Sequence, residues 1–170
     1  MGAARGSGSS DWDGVASLCP DAFAALSRLV AAAWDETDPV LLELSRLRIA
    51  TLLRHTAELD HRSPKAREAG LTEAKLTELS AWPTSTLFTA PERACLSFVE
   101  QFVMDANGVT DDQVAEVVSH VGAAGCYAFV QAVSVLETYQ RACLTLGIHS
   151  APSVGVEAAT PVESSPEDPL

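Results

Sequence analysis

The strongest constraint on this chain is a succession of helix-start signals, each followed by apolar residues at three- and four-residue spacing. Asp38-Pro39 offers a capping carboxylate and a first-turn proline, Thr72 offers another cap, and Thr89-x-x-Glu92 and Thr110-x-x-Gln113 both have the capping-box pattern. Phe23, Leu26, Val30 and Trp34 recur at helical spacing, as do Leu41, Leu44, Leu47 and Leu52. Outside Val114–Val118 there are few β-branched runs, and no alternating strand leads into a hairpin turn. These signals predict an all-α domain, a compact unit of six to seven helices over about 20–34, 39–54, 55–69, 72–79, 90–105, 110–119 and 123–146. Within 55–69, Pro64 has no N–H for the carbonyl of residue 60 and its ring crowds that carbonyl. The helix there must kink, or restart with Ser63 as its cap.

The helical pattern fades at both ends. Residues 1–11 are mostly small and polar, and 150–170 mix Pro152, Pro161, Pro166 and Pro169 with Ser, Glu and Asp, so both are expected to be disordered tails around one domain, 12–149. With 47% hydrophobic residues in 170, that domain can build a core. The balance of 11 basic against 23 acidic residues, a formal charge of −12, has the wrong sign for a phosphate backbone or an anionic membrane surface, so no nucleic-acid partner is expected. Cys19, Cys95, Cys126 and Cys143 are scattered and form no Cys-x-x-Cys pair, which reads as four reduced thiols in a cytoplasmic protein. The N-terminus lacks the apolar stretch of a signal peptide, and no apolar run is read as reaching the roughly 18 residues of a membrane span.

Leu42-Glu-Leu-Ser-Arg-Leu-Arg-Ile-Ala, Ala66-Arg-Glu-Ala-Gly-Leu-Thr72, Ala81-Trp82, Leu87-Phe88-Thr89 and Glu92-Arg93 together resemble the carboxymuconolactone decarboxylase and alkylhydroperoxidase D-like family. The resemblance runs on through Val109-Thr110-Asp111, His120 and the Arg141-containing last helix, over about 15–147. It implies a small helical fold that assembles into homodimers, trimers or hexamers, with a small-molecule pocket at or near subunit contacts. In the peroxidase branch, a Cys-x-x-Cys pair supplies the nucleophilic thiolate, and a glutamate and a histidine relay its proton. Residue by residue, Glu43 matches the relay glutamate, His55 and Glu58 stand at the two cysteine positions, and Arg62 stands at the histidine position, with His61 displaced by one. Without the thiol pair there is neither an attacking sulfur nor a resolving partner. In the decarboxylase branch a Glu-Leu dipeptide followed by a histidine occupies this place, and Glu58-Leu59 resembles that dipeptide.

If 55–62 is helical, His55, Glu58 and Arg62 share one face and His61 points elsewhere. An imidazole, two carboxylates and a guanidinium suit proton transfer beside a carbonyl. Glu43, His55 and Glu58 would then be the catalytic groups, Arg62 would hold a substrate anion, and Tyr139 of the last helix would line the pocket or a subunit contact. The expected function is non-redox acid/base chemistry, decarboxylation or isomerisation, on a small organic acid, lactone or enolisable carbonyl compound. One alternative is a non-catalytic oligomeric binding or scaffold protein, and a third is residual alkylhydroperoxidase-like activity through another cysteine. The same charges also describe a solvated helix face with weak ion pairs, and Glu43 could simply pair with Arg46 or Arg48. No metal or other cofactor is expected, because His55 and Glu58 supply two ligands and only the isolated His120 could add a third. His120 reads instead as a helix-terminating residue, and Glu137–Arg141 as a structural pair.

Overall fold

The computed structural model describes residues 12–148 and 155–158. Its elements are α1 (Trp12–Leu18), α2 (Pro20–Glu36), α3 (Pro39–Leu53), α4 (Thr56–Leu59), β1 (His61–Arg62), α5 (Pro64–Glu68), α6 (Glu73–Thr77), α7 (Ala90–Met104), α8 (Asp111–Leu146) and β2 (Glu157–Ala158), with 3-10 turns at Leu79–Ala81 and Ala106–Gly108. The expected all-α class holds, with one addition: β1 and β2 form a two-residue antiparallel ribbon that pairs His61 with Ala158 and Arg62 with Glu157.

The start signals act where the sequence puts them. Asp38 accepts from the N–H groups of Val40 and Leu41. Glu92 accepts from the Thr89 N–H at 2.8 Å, and Thr110 and Gln113 close a reciprocal box. The Pro64 conflict resolves by a restart. A one-turn helix ends at Leu59, the chain extends through β1, and Ser63 caps α5 by accepting from the Ala66 N–H. The last two predicted helices both form and run on from one another as α8, two segments that meet at a kink at Gly122, whose φ of 75° and ψ of 169° are non-helical and essentially a glycine conformation. His120 is exposed just before that bend.

Helix α3 lies at the centre. From Leu41 to Ala50 every residue except the partly buried Arg48 is buried, with Leu41, Leu42, Leu44, Leu47, Ile49 and Ala50 in the core, which is why its hydrophobic residues do not form a single stripe. One side packs with α2, α7 and α8 in the main core, which holds Trp34, Leu42, Ile49, Phe98, Val99, Phe129 and Val133. The other side meets Ala66, Leu71, Leu79, Phe88 and Leu96 in a second cluster. Glu43 and Arg46 lie in this buried stretch of α3, so their charges must find partners inside the protein.

Two expectations change. The disordered tail predicted over 150–170 does not hold at 155–158, where Val156 enters the main core and the next two residues form β2. Ladder pairing and one buried aliphatic side chain outweigh the polar composition there. The rest of that tail, and residues 1–11, lie outside the described residues. By length and composition, α8 also contains a window apolar enough to cross a membrane, so the reading that no segment reaches that size is corrected. The helix is bent at Gly122 and packs against α2, α3 and α7.

Candidate functional site

Glu43 and Arg46, one turn apart on α3, are both buried, and so is Glu58 on α4. The Arg46 guanidinium binds Glu43 in a two-pronged contact, Nε donating to Oε2 at 2.7 Å and Nη2 to Oε1 at 2.9 Å. Nη1 donates to the Glu58 carboxylate and, at 3.0 Å, to the Glu58 carbonyl, while Nη2 also donates to the His61 carbonyl at 2.8 Å. All five guanidinium N–H donors are thereby used. Burial alone would lower the Arg46 pKa, but its hydrogen bonds to Glu43 and the charges of both glutamates outweigh that and raise it. The group carries two carboxylates against one cation and is kept from bulk water by α3, α4 and β1.

The surrounding backbone completes the arrangement. The Ser63 N–H donates to Glu43 Oε1 at 3.0 Å, and the fully buried Gln140 of α8 donates from Nε2 to the Arg46 carbonyl at 3.0 Å. One arginine therefore ties the central helix to α4 and β1, and one glutamine ties the same turn of α3 to α8.

The structure brings Glu43, His55 and Glu58 to the interior, at 0%, 4% and 1% exposure, so none belongs to a solvated helix face. The shared helical face predicted for His55, Glu58 and Arg62 does not form. His55 is the N-cap of the four-residue α4, and Arg62 lies on β1 beyond the end of that helix. The physical cause is Pro64, which forbids one continuous helix through this segment. Arg62 still reaches the site by another route. It lines a small recess with Glu43, Ser63, Arg67 and Glu73 over Leu71 and Leu76, donating to the Leu59 carbonyl at 2.6 Å and to Glu73 at 3.3 Å. The free volume of that recess, about 10 Å³, is close to that of one water position. His61 faces elsewhere, its Nδ1 lying 2.8 Å from the Ala57 carbonyl.

Tyr139 lies apart from this group. It packs with Cys143 and Ile148 beside Phe23 and Leu26, so its position is one of core packing between α8 and α2 and not of the recess. Cys95 and Cys126 lie in the main core. Burial, with lesser contributions from Cys126, Asp38 and Glu92, pushes the Cys95 thiol up to about 12, and burial also raises Cys126. These are poor conditions for thiolate chemistry. Among the described residues, no three His, Cys, Asp or Glu side chains are grouped to hold a metal ion.

Arg46 is the residue that sequence reasoning undervalued, since it offered Arg46 only as a dull partner for Glu43. A charge three residues from Glu43 in an otherwise apolar helix was the available signal. Several residues that carry the family resemblance also do structural work. Arg93 donates to the carbonyls of Trp82, Pro83, Ser85 and Phe88, fixing the loop before α7, and Glu100 accepts from both Arg48 and Trp82 Nε1 at 2.6 Å.

The helical architecture defines the class first. A solved structure from Agrobacterium tumefaciens, of a protein of unknown function suggested to be the antioxidant-defence protein AhpD, superposes with a TM-score of 0.71 at 22% identity, covering 82% of this chain and 97% of that one. At that identity the likeness establishes the fold alone. Residues 20–101, which carry Glu43, Arg46, His55, Glu58 and Arg62, match the carboxymuconolactone decarboxylase family over just under half of the chain. A comparison with curated proteins gives no match.

Proposed function

We propose that this chain is a non-redox enzyme of this family, moving a proton on a small organic acid, lactone or enolisable carbonyl compound, with decarboxylation or isomerisation as the net reaction. The observation that carries this reading is that Glu43 belongs to a buried ionic group and also lines a recess beside the Arg62 guanidinium. A carboxylate in a water-poor setting next to a cation is suited to exchanging a proton with a substrate held by its own carboxylate. In this reading Glu43 is the proton-transfer group, Arg62 the anion holder, and Glu58 and His55 the groups that set the local charge. The protein works in the cytoplasm as a homo-oligomer, without a bound cofactor.

The saturation of Arg46 and the one-water size of the recess favour a second reading, a binding or scaffold protein in which Glu43, Arg46 and Glu58 only hold the fold together. The two part in a turnover screen. A panel of small lactones, 2-oxo acids and β-keto acids is followed by NMR with the full-length protein and with Arg62→Gln. Turnover of one class, lost in the variant, supports the enzyme. No turnover across the panel supports the scaffold. A parallel peroxide assay with a dithiol reductant is expected to stay at background, and turnover there would revive the antioxidant reading.

A further inference from the structure

In a chain where 20% of residues are charged, α8 contains no Asp, Glu, Lys or Arg over 117–136. Helix α2, by contrast, carries Asp21, Arg28, Asp35 and Glu36. A long helix without charges is expected to be buried all round. Its inward residues are, since Cys126, Phe129, Val133 and Leu136 enter the main core. The most apolar window of α8 is nevertheless only 28% buried. Past the Gly122 kink, Ala124, Tyr127 and Gln131 are exposed and Ala128 and Val135 are half-buried, and their three- and four-residue spacing puts them on one face. Tyr127 keeps 70% of its surface exposed. An uncharged, largely apolar face left to solvent in this way marks a surface that meets something.

Charge and shape say what it meets. The chain carries a formal charge of −12, so an anionic membrane or an acidic partner is repelled. Two copies of the chain repel each other for the same reason, and like charges set opposite one another across an interface are strongly disfavoured. Copies can therefore approach only where charge is missing, and 117–136 is such a place. The shape is self-complementary. The Tyr127 ring stands beside two methyl-sized side chains, Ala124 and Ala128, so a two-fold axis near Tyr127 lays each ring over the alanines of the other copy. Tyrosine also offers a large apolar area with a hydroxyl that tolerates a wet rim.

We propose that the uncharged face of α8 over 124–135 is the surface by which two copies of this chain pair, about a two-fold axis near Tyr127. This rests on the homo-oligomer part of the reading above and is independent of the proton-transfer chemistry.

The test is sedimentation velocity on the full-length protein over a range of concentrations. Tyr127→Glu and Ala124→Glu each set like charges against one another across the axis, at positions where a single chain faces water, so neither should disturb the fold or its far-UV circular dichroism. Met104→Glu alters a residue that is 75% exposed at the end of α7 and serves as the control. The parent and Met104→Glu are expected to form a dimer or a larger even-numbered assembly, and both α8 variants to associate at least about tenfold more weakly. Raised salt, which screens the repulsion between two acidic bodies, should tighten the pair. Weakening by salt would overturn the proposal, because ion pairs would then hold the copies together. A parent that pairs equally well with either α8 substitution would overturn this surface and leave the homo-oligomer reading in place, whereas a parent that stays monomeric would overturn both. In a flotation assay with neutral phosphatidylcholine vesicles the parent is expected to stay in solution, and flotation abolished by Tyr127→Glu would overturn the proposal by giving the face to a lipid surface. If pairing behaves as described while the turnover screen stays empty, the proposed chemistry fails and the pairing surface stands.

Discussion

Replacing Arg46 with methionine tests whether the buried ionic group is the keystone of this fold. The substitution keeps most of the side-chain length and removes five donated hydrogen bonds, two to Glu43, one to the Glu58 carboxylate and one each to the carbonyls of Glu58 and His61. Deleting one partner of a buried ion pair costs about 3–5 kcal/mol, because the remaining charge is stranded away from water. Here two carboxylates are stranded, so the expected loss is at the upper end, about 5 kcal/mol, against a typical total stability of about 5–15 kcal/mol. For a domain of this size that is a fall in Tm of roughly 15 °C. Removing all three charges together, in Glu43→Leu/Arg46→Met/Glu58→Met, lifts the ionic penalty, and on that ground alone such a replacement is often neutral. It still orphans the Ser63 N–H and the two carbonyls, each worth about 1–3 kcal/mol if left unpaired, so the triple variant should recover only part of the loss. Urea unfolding followed by far-UV circular dichroism, extrapolated to water, reads both values. A loss below about 1 kcal/mol for Arg46→Met would refute the reasoning.

Other outcomes follow from single contacts. Ser63→Ala removes the cap of α5 and should cost about 1 kcal/mol in the same assay, and Ser63→Asp should cost more, because it buries a third carboxylate beside Glu43. Gly122→Ala forces a side chain into a backbone conformation reserved for glycine and should lower stability by about 1–3 kcal/mol, where the same change in a regular helix would raise it. The Cys95 thiol is raised from 9.0 to about 12, so the folded state keeps a proton that the unfolded chain releases. Its stabilising contribution is complete below pH 9.0 and is lost as the pH climbs toward about 12. Unfolding measured across that window should show stability falling by up to about 1.4 kcal/mol per pH unit, and Cys95→Ala should flatten the slope. In native protein, Cys19 should react with a thiol reagent while Cys95 and Cys126 stay protected until denaturant is added.

Local chemistry was legible in the sequence wherever it acts within one helical turn. The Asp38, Thr72, Thr89 and Thr110 starts need only the residues that follow them, and Pro64 announces a break that Ser63 then caps. The break expected between helices 110–119 and 123–146 is there as well: Gly122, at φ 75° and ψ 169°, leaves the helical backbone, and two helical segments meet across the kink. The pairing of 157–158 with 61–62 left no mark in the sequence. It joins residues nearly a hundred positions apart, through backbone groups that every residue has. The site was half legible for the same reason. The inward positions of Glu43, His55 and Glu58 came from a resemblance, while the Arg46 bridge to Glu58 spans twelve residues and depends on how α4 and β1 fold back over α3.

The most direct test of the central claim, that Glu43 moves a proton on a small carbonyl compound held by Arg62, is deuterium wash-in from D2O. The carbon-bound hydrogens beside the carbonyl of small 2-oxo acids and lactones are followed by NMR with the parent protein, Glu43→Gln and Arg62→Gln. General acid/base groups typically contribute about 10²–10⁴ in rate, so exchange with the parent should exceed buffer clearly and fall by about that factor in Glu43→Gln. Arg62→Gln, whose side chain is partly exposed and outside the ionic core, should weaken substrate binding while leaving stability nearly intact. Exchange no faster than buffer, or equal in all three proteins, would contradict the account and leave the buried charges a purely structural role.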